Sequence, residues 1–285
     1  MNLQKIQLTV PGQQTGAAVL TTYLLDGISA VPEKQRPAVI VVPGGGYSFC
    51  SDREGEPIVM QFLAMGYQAF LLDYSVAPNH FPVALQELGL AVATVREHAA
   101  QWHVNPQAVL VCGFSAGGHL ACSLGTFWNR AQIFELIERT PKEVRPDGLI
   151  LGYPVITAGA FRHDGSFESL LGVDLSGDMG SDEMVLTEKA LSVVSLEQQV
   201  SEQMPPVFLW HTLADQSVPV ENSLLLANAM RRNGVEFELH IYPEGRHGLA
   251  LANEETGGND KTLTVPCCQT WISLVQLWIG NHFKK

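Results

Sequence analysis

The chain has 285 residues, 46% of them hydrophobic and 16% charged, and its 17 Lys and Arg against 29 Asp and Glu give a formal net charge of −12. Such a composition belongs to a folded protein rather than to a chain too polar to offset its ordering entropy. The acidic balance, with its few basic residues scattered, argues against nucleic acid and against an anionic membrane surface as partners.

The opening MNLQKIQLTVPGQQ alternates apolar and polar residues and lacks the basic and apolar regions of a secretory signal, so it reads as a strand. No apolar run approaches the eighteen or so residues that span a bilayer, and a soluble, cytoplasmic chain is expected. Runs at 4–10 and 17–25, separated by the turn-rich PGQQTG, predict an antiparallel pair at a sheet edge. From 38 onward, strand patterns at 38–42, 68–73, 108–112, 148–153, 206–211 and 236–242 alternate with helical periodicity at 55–66, 82–102, 116–129, 219–233 and 267–282. That rhythm predicts an α/β architecture with a mostly parallel central sheet and helices on both faces. Residues 158–204 break the rhythm with Gly, Ser and Asp and predict a modest inserted cap or lid. No repeat or long linker interrupts the chain, so one domain over 1–285 is expected. The five cysteines, at 50, 112, 122, 267 and 268, show no zinc-binding spacing and read as reduced thiols, with no metal and no cofactor required.

Residues 113–117 read Gly-Phe-Ser-Ala-Gly, directly after the apolar AVLVC and directly before the helix-compatible GGHLACSLGTF. A sharp strand-to-helix turn exposes a serine oxygen, and small residues two positions to either side let the backbone pass close, which makes Ser115 the candidate nucleophile. The base should be a histidine on a loop that reaches it. His247 follows the last predicted strand, beside Gly245 and Gly248, whereas His240 lies inside that strand, His119 one turn into the helix and His211 at a strand end. Asp215 follows VFLWH and precedes the histidine, as the acid that orients the imidazole should. Asp73 precedes the serine, which counts against it, and Asp52 and Glu244 compete less well. Acyl transfer also needs backbone donors for the oxyanion, and the three successive glycines of PGGGY at 43–47 exceed what a tight turn needs.

These segments resemble the esterase/lipase branch of the α/β-hydrolases, particularly bacterial acetyl-esterase, xylan-esterase-like and feruloyl-esterase-like proteins. The resemblance runs from about residue 37 onward and is carried by PGGGY, LDYSVAP, GFSAGGHLA, PDGLILGYPVIT, PPVFLWHTLADQSVPVENS and YPEGRHGL. It implies the α/β-hydrolase fold, with Ser115, Asp215 and His247 at the catalytic positions and Gly45, Gly46 and Ala116 at the oxyanion hole. Two departures stand out: Pro43 where many relatives begin the glycine motif with His, and Ser75-Val76 in place of an arginine-leucine pair. Tyr47 and Phe114, adjoining the motifs, are candidate pocket residues. The activity implied is hydrolysis of short-chain esters through an acyl-enzyme, acetyl esters of small carbohydrates above all, with a small-molecule ester as partner. A C–N hydrolase on the same triad and a non-catalytic ligand-binding homologue are the alternatives.

Overall fold

A computed structural model describes residues 2–27, 29–32, 34–176 and 181–283. Eight strands, β1 (Asn2–Leu8), β2 (Ala18–Leu24), β3 (Arg36–Val42), β4 (Gln68–Asp73), β5 (Val104–Phe114), β6 (Gly148–Gly152), β7 (Val207–Thr212) and β8 (Phe237–Tyr242), form one sheet in the order β1-β2-β4-β3-β5-β6-β7-β8. The first two pair antiparallel to each other and β2 runs antiparallel to β4, while every pairing from β4 to β8 is parallel. The sequence reading of a parallel sheet with an antiparallel edge therefore matches the α/β-hydrolase architecture observed.

The apolar run of β3 has no polar face because both of its faces are covered. Ala38, Ile40 and Val42 share an apolar cluster with Leu88 and Val92 of α2 (Val83–Glu97), Leu120 and Leu124 of α3 (Ser115–Phe127) and Leu226 of a later helix (Glu221–Arg232). Val39 and Val41 point the other way, into a cluster with Ile58 and Phe62 of α1 (Glu56–Ala64) and Trp271 and Val275 of the last helix (Trp271–Phe283). Residues 158–204 contain α4 (Asp164–Leu171) and α5 (Ser181–Val194).

Several elements differ from their expected bounds, two of them next to each other in the chain. The helix expected over 82–102 ends at Glu97, since Trp102, buried against Phe70, belongs to the turn that feeds β5. That strand, expected over 108–112, runs from Val104 to Phe114 because Arg36 pairs with Val104 while Ala38 pairs with Val109, and the register shift absorbs the residues between. Ser75, one of the departures from the family motif, is accounted for by packing: its N–H and hydroxyl both donate to the buried Glu87 carboxylate, which also accepts from Gln13.

The sheet order puts the ends of β3 and β5 side by side at a switch point. The chain leaves β3 in one direction to form β4, then crosses back to form β5, and such a crevice at the carboxyl ends of strands is where open α/β sheets bind ligands.

His119, on α3, ties the end of the inserted segment to this crevice. Its Nε2–H donates to the Val194 carbonyl at 2.9 Å, so its Nδ1 accepts the Tyr47 hydroxyl at 2.9 Å and the ring is neutral. Burial, against a smaller opposing effect of the Val194 hydrogen bond, pushes its pKa from 6.5 down to about 4. A lowered histidine pKa means that between those values the unfolded chain takes up a proton that the folded chain refuses. Stability should consequently rise with pH across that window, by up to about 1.4 kcal/mol per pH unit from this one residue. Urea unfolding of wild type and His119→Asn in steps from below pH 5 to pH 7 should show a slope shallower by about that amount in the variant; equal slopes would place the proton elsewhere.

Candidate active site

No residue separates β5 from α3, and Ser115 makes the turn with φ +52°. A left-handed backbone at a non-glycine residue is strained, and here the surroundings hold it. The flanking glycines are sterically required. A Cβ on Gly113 would lie 2.2 Å from the Gly117 carbonyl oxygen, and one on Gly117 would lie 2.2 Å from the carbonyl oxygens of both Val42 and Pro43. The first turn of α3 thus packs backbone against backbone on the end of β3, which brings Ser115 beside the glycine loop.

Three loops at the carboxyl ends of β5, β7 and β8 converge. Ser115 Oγ lies 2.7 Å from His247 Nε2, and His247 Nδ1 lies 2.6 Å from Asp215 Oδ2. The other Asp215 oxygen accepts the N–H groups of Ser217 and Val218, each at 3.0 Å, so the carboxylate is anchored on its own turn. Burial works to raise the Asp215 pKa. Hydrogen bonds from His211 and His247, the His247 charge and the Val218 N–H outweigh it and hold the carboxyl well below the usual carboxylate range.

His211, set aside in the sequence as a packing or hydrogen-bonded histidine rather than the base, is hydrogen-bonded and touches the acid directly. Its Nε2 sits 2.9 Å from the Val218 carbonyl and 3.4 Å from Asp215 Oδ2, so one N–H serves both, while the Ser223 hydroxyl, 2.7 Å away, donates to Nδ1. The remaining competitors lie apart from this arrangement: His240 pairs with Glu238, and Asp73 ends β4.

The glycine loop is shaped by close approach. Gly45 has φ +128°, and a Cβ there would fall 2.0 Å from the Phe49 carbonyl oxygen; Gly46 has φ +62°. Gly44 N–H is taken by the buried Glu54 carboxylate at 2.8 Å. Ala116 sits in the first turn of α3, where helix N–H groups have no intrahelical acceptor. Gly45 and Gly46 line the same cleft as Ser115, and Ala116 follows it in the first turn of α3, a helix N-terminus that favours a negative charge.

Sequence reasoning missed the buttress behind these loops. The second oxygen of Glu54 accepts the Tyr153 hydroxyl at 2.7 Å, and that hydroxyl accepts the Ala250 N–H at 2.9 Å. The Tyr153 ring meets the His247 ring edge-on, with centroids 5.1 Å apart. One buried carboxylate thereby spans from the glycine loop to the histidine loop. No local motif announces Glu54, whose partners are ten and ninety-nine residues away.

A cleft of about 430 Å³ opens at this point, lined by Gly45, Gly46, Phe49, Ser115, His163 and His247 among others. Tyr47 and Phe114, expected as pocket residues, do not line it. Tyr47 is buried with its hydroxyl on His119, and Phe114 is buried among Tyr153 and Trp271, because strand alternation points its ring beneath the elbow into the core. Among the described residues no cluster of three or more His, Cys, Asp or Glu could hold a metal ion, and no helix is long and apolar enough to cross a membrane. All five cysteines are free.

The BD-FAE family model matches residues 28–230, and that of the dienelactone hydrolase family matches residues 192–274. Among curated proteins, the chain is 36% identical over 230 residues to endo-1,4-beta-xylanase B of Butyrivibrio fibrisolvens, covering 78% of this chain and 34% of that one. It is 32% identical over 218 residues to acetylxylan esterase of Xylanibacter ruminicola, covering 75% and 41%. The chain therefore spans well under half the length of these relatives. Among solved structures, the acetyl ester-xyloside bifunctional hydrolase of Caldicellulosiruptor lactoaceticus is similar over 98% of this chain and 96% of its own, at 37% identity and a TM-score of 0.77. A carboxylesterase of Lactobacillus plantarum is similar over 99% and 98%, at 28% identity and a TM-score of 0.80. With a family model matched across most of its length, on the sheet order and serine turn described above, the chain belongs to the BD-FAE family of α/β-hydrolases.

Proposed function

We propose that the protein is a serine-dependent carboxylic ester hydrolase acting through an acyl-enzyme on short-chain esters, with acetyl esters of small carbohydrates as its substrates. The observation that carries this reading is the unbroken hydrogen-bonded relay from Ser115 through His247 to Asp215, opening on a cleft that the glycine loop also lines. Ser115 Oγ attacks the ester carbonyl carbon as its proton passes to His247 Nε2, and the carbonyl oxygen, now negative, accepts from the amides of Gly45 or Gly46 and Ala116. Collapse of this intermediate breaks the bond to the alcohol, which leaves with the proton from His247. Water then adds to the acyl carbon as His247 takes its proton, and Ser115 is released with the acid.

Asp215 contributes by staying ionised: it keeps the proton of neutral His247 on Nδ1, leaving Nε2 free to accept from the serine, and it stabilises the imidazolium that follows. A cleft of about 430 Å³ lies at the small end of ligand sites and suits a short acyl chain with a compact alcohol. The names of similar proteins, an acetylxylan esterase and an acetyl ester-xyloside hydrolase, support the acetyl and carbohydrate halves of the reading. We read residues 158–204 as a small cap within a single domain, since its α4 bears His163 at the cleft.

Ser115→Ala should lower kcat on p-nitrophenyl acetate by about 10⁴- to 10⁶-fold, the residue of catalysis coming from binding and the oxyanion donors. Wild-type kcat/KM should fall along the series from acetate to octanoate. Turnover that survives the serine substitution, or that rises with chain length, would sink the reading; good turnover on matched anilides with none on esters would move it to C–N bonds. Asp215→Asn, by favouring the wrong imidazole tautomer, should cost about 10⁴-fold in kcat, whereas an acid with only a packing role would leave kcat within a few fold.

A further inference from the structure

His163 lies in the inserted segment, at the N-cap of α4, and lines the same cleft as Ser115 and His247. Its protonation pattern follows from its neighbours. The Ser166 N–H points at His163 Nδ1 from 3.2 Å, and a backbone amide can only donate, so Nδ1 carries no proton; the Ser166 hydroxyl, 2.9 Å away, donates to the same atom. Ser166 is itself buried, which fixes the ring from below. The ring proton is therefore on Nε2, which makes no hydrogen bond to another of the described residues.

With Nδ1 unprotonated the ring is a neutral donor, and burial, then the charge of His247, against weaker opposing effects of Asp164, Asp215 and a backbone hydrogen bond at His163 itself, lower its pKa in the same sense. The same charges place it electrostatically beside the His247–Asp215 pair. His247 hands its proton to the departing alcohol, and the alcohol half must accordingly lie on that side of the cleft. Phe49, 61% exposed although aromatic, also lines the cleft and offers an apolar ring face. A neutral N–H donor together with an uncovered aromatic face is suited to a compact hydroxylated ring, which has hydroxyls at its rim and C–H groups on its face.

We propose that His163 is a specificity-determining residue, whose Nε2–H donates to a hydroxyl of the alcohol half of the substrate, next to the carbon that bears the ester. This rests on the ester-hydrolase reading above and adds the side of the cleft and the group recognised. A site built to hydrogen-bond a hydroxyl discriminates against the analogue that lacks it, since its own donor is then left unpaired.

The test compares two acetate esters, the monoacetate of cis-1,2-cyclohexanediol and cyclohexyl acetate, each rate divided by that ester's rate with hydroxide to remove intrinsic reactivity. Wild type should prefer the hydroxylated ester by about tenfold in kcat/KM. His163→Asn keeps an N-cap acceptor for the Ser166 N–H but removes the donor that reaches the cleft. In that variant the ratio should fall to near one, whatever happens to the two rates separately. A wild-type ratio near one overturns the inference without any variant, and so does a preference that survives in His163→Asn. Failure of the ester-hydrolase reading looks different: wild type then turns over neither ester, or does so independently of Ser115.

Discussion

The site depends on one close approach, the first turn of α3 pressed backbone to backbone on the end of β3. Because Gly117 leaves no room for a Cβ beside the Val42 and Pro43 carbonyls, the first turn of the helix that begins at Ser115 lies directly on the end of β3. That sets the N-terminus of α3 beside the glycine loop that leaves β3, and Ser115 and this loop line one cleft. The positive φ of Ser115 is the local cost, and the parallel pairing of β3 with β5 over their last residues holds it in place.

From that fixed point the remaining groups are brought in by loops at the same edge of the sheet, and their mutual placement is secured by groups that never meet a substrate. Asp215 is held by two amides and by His211 in addition to His247, so its orientation does not depend on the imidazole alone. Glu54 and Tyr153 tie the glycine loop to the histidine loop. Glu54 also occupies the Gly44 N–H, so that amide is not among the loop's free donors. Preorganisation here is the joint work of a buried carboxylate, a tyrosine and a second histidine that no motif marks.

What could be read from the sequence follows the range over which each requirement acts. The serine turn is a local steric requirement of five residues, and the order of Ser115, Asp215 and His247 along the chain follows from the strand rhythm. Both were legible. So was the antiparallel edge, since PGQQTG separates two alternating runs. The pocket walls were not, because adjacency to a motif says nothing about side-chain direction: Tyr47 and Phe114 adjoin the glycine and serine motifs yet turn into the core. Glu54 and Tyr153 act across the fold and carry no spacing signal. For His163 a faint signal existed, in that His-Asp-Gly-Ser precedes an amphipathic run as a helix start does, but only the structure puts that helix start over the cleft.

His163 and the triad also come from parts of the chain with different obligations. The serine, acid and base sit on loops whose positions are dictated by the sheet, where a shifted strand would disturb the core on both faces. His163 sits on a segment outside the strand rhythm, tethered to the body through Val194 and His119. Under the role proposed for His163, recognition would rest on the cleft-facing positions of 158–204, while Phe167, Leu170 and Val194 of the same stretch belong to the core beneath the sheet. Substitution at those positions would then change which alcohol is accepted without reaching the groups proposed to break the ester bond.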